Sequence, residues 1–293
     1  MARFGEVITA MVTPFDGDGA LDLGAAAELA RWLVGQGNDG LVLAGSTGEG
    51  STLTDAEKLD LFRAVAEAVT VPVIAATGSN DTAHSVELTR QAAATGAAGV
   101  LVVTPYYNRP SQAGLDAHFR AVAAATDLPV LIYDIPIRSG RKIAHDVMIG
   151  LARDVTNVVG VKDAAADVSA SARLAADAPS SFEIYSGNDD QTLPLLSIGA
   201  VGLIGVATHW CAAEMGELIA SYRKGDVDHA REINVKLLPS YDFETGDAAP
   251  NPLPAKAMMR VLGHAVGQCR LPMGDAPSGL EDRAREVLNG LRG

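Results

Sequence analysis

Cysteine is scarce in the sequence: Cys211 and Cys269 are the only two, and they do not form a Cys-x-x-Cys pair. Two isolated cysteines exclude a disulfide framework and are typical of buried, reduced thiols in a cytosolic protein. Long hydrophobic runs are missing too, since no uninterrupted apolar stretch reaches the roughly 18 residues of a membrane-spanning helix. Residues 1–6 also lack the apolar segment of a signal peptide. We therefore expect a cytoplasmic protein that does not enter a membrane.

Basic residues are outnumbered by acidic ones. The chain has 23 lysines and arginines and 36 aspartates and glutamates, which gives a formal net charge of −13. A surface of that charge repels nucleic acids and anionic membranes, so neither is expected as a partner. An acidic protein that binds an anionic substrate needs positive groups at the binding site itself. Single lysines and arginines within apolar segments are therefore the first candidates for functional residues.

Signatures of metal and nucleotide sites are also missing. There is no His-Glu-x-x-His motif and no Gly-x-Gly-x-x-Gly turn that opens a helix, so neither a metal nor a nicotinamide cofactor is predicted. The consecutive Asp189 and Asp190 resemble magnesium ligands, but a solvated pair at the end of a strand is the simpler interpretation. No histidines are paired at the spacing of metal ligands, the six being His84, His118, His145, His209, His229 and His264.

Short apolar runs that alternate with amphipathic segments predict an α/β fold. Hydrophobic residues make up 48% of the 293-residue chain, which is enough for a large core. Runs this continuously apolar are typical of parallel strands buried on both faces. Eight of them favour a closed (β/α)8 TIM barrel, although the pattern alone leaves a doubly wound open sheet as an alternative. The runs are Val7–Val12, Gly40–Leu43, Val73–Ala76, Gly99–Val103, Val130–Tyr133, Val158–Val161, Phe182–Tyr185 and Val201–Ile204.

Helical patterns separate these runs and continue alone after about Trp210. Thr54 and Glu57 have the spacing of a capping box, which satisfies the free amides at a helix start. Helices between the runs are predicted at Leu23–Gln36, Asp55–Val69, Thr82–Thr95, Ser111–Ala125 and Val168–Ala176. Helices beyond the last run are predicted at about 210–222, 227–239, 254–264 and 279–291. We therefore expect a barrel core at 1–209 and a C-terminal helical extension at 210–293, packed on the barrel as one structural unit.

Lys162 is the most informative single residue. In a parallel barrel the active site lies at the carboxyl ends of the strands, and Lys162 directly follows the run Val158–Val161. Apolar neighbours disfavour the ammonium ion and lower the pKa of the lysine, which yields the free amine that attacks a ketone. Taken alone, a lysine that emerges into solvent explains the position equally well. Polar residues at the other strand ends favour the catalytic interpretation.

Two of those strand ends supply three groups suited to an acidic substrate. The Gly45–Glu49 turn offers small residues and two hydroxyls that suit a carboxylate. It is not a phosphate loop, because no lysine follows its glycines and Glu49 repels phosphate. Tyr133 can transfer a proton with its phenol, and Arg138 can pair with a second carboxylate. Each also has a structural explanation: the turn can be only a tight connection, Tyr133 can pack the mouth of the barrel, and Arg138 can be a solvated loop residue.

At these residues the sequence resembles the dihydrodipicolinate synthase family, which belongs to the pyruvate-dependent class I aldolases together with N-acetylneuraminate lyase. The resemblance covers nearly the whole chain. Lys162 and Tyr133 mark the superfamily, whereas the segments TPYYNRPSQ and NPLPAK point to the synthases. The matching segments are Val12–Phe15, Gly45–Glu49, Thr104–Gln112, Tyr133–Gly140, Gly160–Asp163, Ser186–Asp189, Asn251–Lys256 and Arg270–Met273.

The resemblance implies a reaction: pyruvate condenses with L-aspartate 4-semialdehyde, on the route to diaminopimelate and lysine, through a covalent imine and without a cofactor. In this family's mechanism Lys162 carries the Schiff base. Ser46 and Thr47 bind the pyruvate carboxylate, and Ser46 also joins a hydroxyl relay to Tyr133. Family members usually have threonine in place of Ser46, so the hydroxyl is kept while a methyl group is lost.

The resemblance also implies an oligomer and a binding site for the second substrate. Tyr107 enters the relay from the neighbouring subunit, which requires a tight dimer and usually accompanies a tetramer of two dimers. Arg138 binds the carboxylate of the semialdehyde. Gly187 and the carbonyl of Ile204 line the pocket.

The interface site at which some family members bind lysine differs in this sequence. Lysine-inhibited members carry histidines and a glutamate there, and Asp55, Lys58 and His84 stand in their places. Without that glutamate, the ammonium groups of lysine lose a partner. We therefore expect weak or absent feedback inhibition by lysine.

Three other functions stay open at this point. A superfamily lyase that acts on a sugar-derived keto acid shares Lys162 and Tyr133 but does not need Arg138 or Tyr107. A non-catalytic barrel that binds a keto acid has no use for all four residues. A phosphate-handling barrel is disfavoured, because no clear Gly-rich phosphate turn follows the seventh and eighth runs.

Overall fold

The apolar runs form a closed parallel barrel in the computed structural model, which describes residues 2–292. Each strand pairs with the next, and the last pairs with the first, so the sheet has no free edge. The predicted (β/α)8 barrel is confirmed, and the open sheet is excluded. The strands are β1 Val7–Ala10, β2 Gly40–Leu43, β3 Val73–Ala76, β4 Gly99–Val103, β5 Val130–Asp134, β6 Val158–Asp163, β7 Glu183–Ser186 and β8 Gly202–Gly205.

Successive residues of each strand face two different cores. Because side chains alternate along a strand, one set fills the barrel interior and the other packs against the surrounding helices. In β2, Val42 points into the barrel, while Leu41 and Leu43 contact the helix layer. Burial on both faces explains why the strands are continuously apolar in sequence. The interior set includes Ile8, Val42, Ile74, Leu101, Leu131, Tyr133, Tyr185 and Ile204.

Two strand ends differ from the prediction by two residues, each for a local reason. Strand β1 ends at Ala10 instead of Val12, because the amide of Val12 donates to the His209 ring at 3.1 Å instead of to a neighbouring strand. Strand β6 continues through Lys162 and Asp163, which pair in register with Tyr185 and Ser186 of β7. Lys162 therefore lies within the sheet, where its direction is fixed.

The predicted helices are all present, with ends that differ by a few residues. The capping box of the second helix is formed, because the Thr54 side chain accepts from the amide of Glu57 and the Glu57 carboxylate accepts from that of Thr54. The helices are α1 Leu23–Gly35, α2 Asp55–Ala68, α3 Thr82–Ala92, α4 Gln112–Ala123, α5 Pro136–Ser139, α6 His145–Asp154, α7 Val168–Asp177, α8 Thr192–Leu196, α9 Thr208–Arg223, α10 Val227–Glu244, α11 Leu253–Val261 and α12 Leu280–Arg292.

The four C-terminal helices pack in pairs beside the barrel. Helix α10 packs on α9, where the indole of Trp210 donates to Ser240 Oγ at 3.0 Å, and α11 packs on α12. The segments that flank α11 return to the carboxyl ends of the strands and bring Asn251 and Arg270 to the turn after β2. The C-terminal helices therefore contribute side chains next to the predicted site. The domain division at residue 209 stays a prediction.

Candidate active site

A cavity of about 800 Å³ opens at the carboxyl ends of β2 to β5. Its walls come from the turn after β2, the loop after β4 and helix α5, and they are completed by two C-terminal segments, 251–252 and 272–273. Four of the eight residues predicted for the site line this cavity, namely Ser46, Tyr107, Tyr133 and Arg138. The other four are buried or packed behind the walls, namely Thr47, Lys162, Gly187 and Ile204.

Lys162 points into the barrel, since Val161 faces the helix layer and side chains alternate along β6. The lysine is only 4% exposed, and its Nζ lies 4.5 Å from the centre of the Tyr133 ring. Burial lowers its pKa from 10.5 to about 8, although the carboxylates of Asp189 and Glu244 oppose the shift. About a tenth of Lys162 is therefore the neutral amine at pH 7, several hundred times the fraction for an ordinary lysine, and the amine is the form that reacts with a carbonyl group.

Tyr133 stands beside Lys162 in register on the inner face of β5. Burial raises the pKa of its phenol to about 12, and the positive charge of Arg138 and a hydrogen bond with Ser46 act in the opposite direction. The phenol therefore stays protonated at neutral pH and is able to donate. Because Ser46 lines the same cavity, the two hydroxyl groups offer a short route for a proton between the turn after β2 and the lysine.

The turn after β2 folds back on itself so tightly that glycine is required at two positions. A Cβ on Gly48 would lie 2.9 Å from the amide nitrogen of Ala44, and one on Gly50 would collide with the Ala44 carbonyl. Ala44 and Glu49 have positive φ values of 54° and 52°, a strained backbone for residues with side chains. Such strain persists only where the surroundings hold the conformation in place.

Side chains from the C-terminal segments hold this turn from behind. Lys256 Nζ pairs with the Glu49 carboxylate at 2.7 Å, and both side chains are almost fully buried. The backbone amide of Arg270 donates to the same carboxylate at 2.8 Å. Asn251 Nδ2 donates to Thr47 Oγ1 at 2.9 Å. Sequence reasoning missed these contacts, although a lysine inside an apolar helix was a visible signal for Lys256.

Arg138 and Tyr107 lie at the open side of the cavity. Arg138 belongs to the short helix α5, is exposed, and lowers the pKa values of both Lys162 and Tyr133 through its charge. Tyr107 has a positive φ of 73° and is 90% exposed. A positive φ is rare for an aromatic residue and is typical of functional loops. The Tyr107 side chain is thus exposed to solvent at the edge of the cavity of its own chain.

Gly187 and Ile204 occupy close-packed positions at the ends of β7 and β8. A Cβ on Gly187 would lie 2.8 Å from Ala164 Cβ, so only glycine fits there without displacing the neighbouring strand end. Ile204 is completely buried and is paired with Ile8 of β1. Both residues lie two positions beyond the level of Lys162, because Lys162 pairs with Tyr185 and Tyr185 pairs with Gly202.

The interpretation of Asp189 as a solvated residue is wrong. Asp189 is 1% exposed, and its two carboxylate oxygens accept from the amides of Val206 at 2.8 Å and Ala207 at 3.1 Å. Glu244 also accepts from Ala207, and burial raises the pKa values of both carboxyl groups. The residue completes the turn between β8 and α9, and its charge acts on Lys162. Nothing in the sequence indicated that the turn needs a carboxylate.

Residues 2–292 contain no group of three or more His, Cys, Asp or Glu side chains arranged to hold a metal ion. Both cysteines are buried and free of disulfide bonds. Within the described part of the chain, no helix combines the length and the apolar character needed to cross a membrane.

Comparisons with known proteins agree on one family. The model of the dihydrodipicolinate synthetase family matches residues 3–289. The 4-hydroxy-tetrahydrodipicolinate synthase of Symbiobacterium thermophilum is 47% identical over 98% of both chains. That of Acidothermus cellulolyticus is 50% identical over 98% of this chain and 92% of its own. The crystal structure of the enzyme from Cyanidioschyzon merolae with lysine bound superposes with a TM-score of 0.95, at 40% identity, over 99% of this chain and 98% of that one.

Proposed function

The chain belongs to the dihydrodipicolinate synthetase family, and on that premise we propose that it condenses pyruvate with L-aspartate 4-semialdehyde through an imine on Lys162. The observation that carries the chemical part of this proposal is a lysine that is 4% exposed inside the barrel, with a pKa lowered to about 8. A lysine with only a structural role is normally paired or solvated. No cofactor is required, because the Lys162 amine and the ketone of pyruvate together form the electron-withdrawing imine.

The reaction proceeds in four steps, namely imine formation, proton loss, carbon–carbon bond formation and ring closure. The Lys162 amine attacks the ketone of pyruvate, and the ketone oxygen leaves as water, so a protonated imine forms. The imine's methyl group loses a proton and becomes an enamine. The enamine carbon attacks the aldehyde carbon, whose oxygen takes up a proton and becomes the 4-hydroxyl group. The amino group of the semialdehyde then attacks the imine carbon, closes the ring and releases Lys162 as an amine.

The neighbouring groups move protons and hold carboxylates during these steps. Tyr133 and Ser46 carry protons to and from the ketone and aldehyde oxygens, which suits a phenol kept protonated by burial. Ser46 and Thr47 bind the pyruvate carboxylate at the strained turn. Gly187 and the carbonyl of Ile204, which are packed behind the cavity walls, are expected to border the imine. Arg138, exposed at the opening, binds the carboxylate of the semialdehyde.

Tyr107 completes the relay from a second copy of the chain. Its 90% exposure and strained backbone support this role, because an exposed aromatic side chain on a fixed loop suits insertion into a partner's site. The active unit is then at least a tight dimer, and a dimer of dimers is the expected assembly. A cytoplasmic location follows from the same proposal, as an expectation.

A comparison of substrates tests the proposed reaction against a sugar-acid lyase. Purified enzyme is assayed for pyruvate release from N-acetylneuraminate and for pyruvate consumption with L-aspartate 4-semialdehyde. We expect the kcat/KM for the semialdehyde to be at least about 10³-fold higher than that for the sugar acid. Faster turnover of the sugar acid would assign the chain to the other branch of the superfamily.

Replacing Arg138 is expected to weaken the binding of the semialdehyde more than the binding of pyruvate. In Arg138→Ala the semialdehyde carboxylate loses a charge-assisted partner, so its KM should rise about 10- to 100-fold while the KM for pyruvate changes little. Arg109, which is exposed and donates to the Gly140 carbonyl, provides a matched control for loss of a nearby arginine. Equal increases in both KM values for Arg138→Ala would contradict the assignment.

Lysine is expected to be a poor inhibitor, although a relative has been crystallised with lysine bound. The Asp55 carboxylate is already engaged, since His84 Nε2 lies 2.8 Å and Lys58 Nζ lies 3.7 Å from it. An incoming ammonium group therefore has to compete with two basic side chains. Titration calorimetry and initial-rate assays check this, and inhibition by lysine below roughly 1 mM would contradict it.

A further inference from the structure

Asn251 connects the cavity to the hydroxyl group of Thr47. Its Nδ2 donates to Thr47 Oγ1 at 2.9 Å, and the two side chains are buried, with 8% and 3% of their surfaces exposed. Asn251 also lines the cavity. Its Oδ1 is buried and has no hydrogen-bond partner among the described residues. Among the described residues, the Asn251 side chain is thus hydrogen-bonded through its nitrogen to Thr47, while its oxygen has no partner next to the cavity.

The contact with Asn251 determines whether the Thr47 hydroxyl donates or accepts its other hydrogen bond. A hydroxyl group has one proton to donate and lone pairs to accept with. Since the amide N–H of Asn251 occupies a lone pair, the proton of Thr47 is left free for another acceptor. A carboxylate can only accept hydrogen bonds, so it needs a hydroxyl in this donating state.

The same end of α11 is fixed to the turn at a second point. Asn251 lies two residues before α11, and Lys256 in its first turns forms the buried ion pair with Glu49. Residues 251 and 256 thereby contact residues 47 and 49 of the turn. Two contacts from one helix end leave the amide of Asn251 little freedom to move away from Thr47.

We propose that Asn251 is a positioning residue that sets the Thr47 hydroxyl as a donor to the keto-acid carboxylate. This inference rests on the proposed function, in which Thr47 binds that carboxylate. Asn251 itself acts through Thr47 and does not take part in proton transfer.

The test compares two replacements that differ in the direction of this hydrogen bond. Asn251→Ala removes the amide and should raise the KM for pyruvate about three- to tenfold. Asn251→Asp keeps the shape but accepts from Thr47, so it turns the hydroxyl proton away from the substrate and adds a like charge. Its KM for pyruvate should rise at least about tenfold further. In both variants kcat should change less than about threefold.

A double-mutant cycle separates the hydrogen bond between Asn251 and Thr47 from a purely structural effect of removing the Asn251 side chain. Thr47→Val keeps the branched shape without the hydroxyl, and in that background Asn251→Ala should change the pyruvate KM less than about twofold. Circular dichroism and thermal unfolding confirm that each variant is folded. Should Asn251→Ala fail to fold, Asn251→Ser, whose hydroxyl is too short to reach Thr47, replaces it in the cycle.

Two results would overturn the inference. One is an Asn251→Asp enzyme with a wild-type KM for pyruvate, which would mean that Thr47 donates to residue 251. The other is an equal effect of Asn251→Ala with and without the Thr47 hydroxyl, which would make its role purely structural. Borohydride trapping of pyruvate on the wild-type enzyme is run in parallel. A missing adduct would refute the proposed function, whereas an adduct together with either of the two results above would refute the role of Asn251 alone.

Discussion

Lys162→Arg is expected to abolish the condensation, with kcat lowered on the order of 10⁴- to 10⁶-fold, the range for loss of a catalytic nucleophile. Arginine keeps the positive charge that faces Asp189 and Glu244, so the local electrostatics are largely preserved. A guanidinium group does not deprotonate in proteins and therefore cannot form the imine. The measurement is steady-state turnover of pyruvate and the semialdehyde, with circular dichroism as the check on folding.

Lys142 supplies the matched control and pH supplies a second readout. Lys142 pairs with Asp134 at 2.6 Å and is half exposed, so Lys142→Arg should retain activity within about threefold. In the wild type, the amine fraction of Lys162 grows about tenfold per pH unit below its pKa of about 8. The rate of imine formation should therefore rise with pH and level off above about pH 8. Activity above about 1% of wild type in Lys162→Arg would contradict the nucleophilic role.

Tyr133→Phe is expected to lower kcat about 10²- to 10⁴-fold, the usual effect of losing a positioned proton donor. The phenol is held protonated, with a pKa raised to about 12, and the centre of its ring lies 4.5 Å from Lys162 Nζ. Phenylalanine preserves the packing of the ring inside the barrel. The KM for pyruvate should change little, because Tyr133 does not bind the carboxylate.

Tyr185 is the appropriate control for this variant. It flanks Lys162 in register on the opposite side, but its hydroxyl contacts Glu183 at 3.1 Å and the amide of Phe4 at 3.4 Å. Tyr185→Phe should therefore cost about 1 kcal/mol of stability and leave kcat within about threefold of wild type. A comparable loss of kcat in both variants would show that Tyr133 acts through packing alone.

The fold could be predicted from sequence because local and global signals agree. A parallel barrel buries both faces of every strand, so each strand appears as a continuous apolar run, and turn residues separate it from the next helix. The strand ends were less certain, since they depend on single contacts. The amide of Val12 bonds to His209, almost 200 residues away, and no local pattern encodes that partner.

The site was predictable only where residues follow strand ends. Lys162 and Tyr133 belong to this group, because the barrel topology itself brings the ends of β5 and β6 together. Asp189, Asn251 and Lys256 act on the site through tertiary contacts with distant segments. Their partners are known only after the C-terminal helices are placed. The resemblance to a family identified the segments that contain Asn251 and Lys256, but it did not explain what these residues contact.

Borohydride trapping with pyruvate, followed by peptide mass mapping, directly tests whether Lys162 forms the imine. The enzyme is reduced in the presence of pyruvate, digested and compared with Lys162→Ala treated in the same way. We expect a reduced pyruvate adduct that is confined to the peptide containing Lys162 and is absent from the variant. An adduct on another lysine, or no adduct on the folded wild-type enzyme, would show that Lys162 is not the residue that forms the imine.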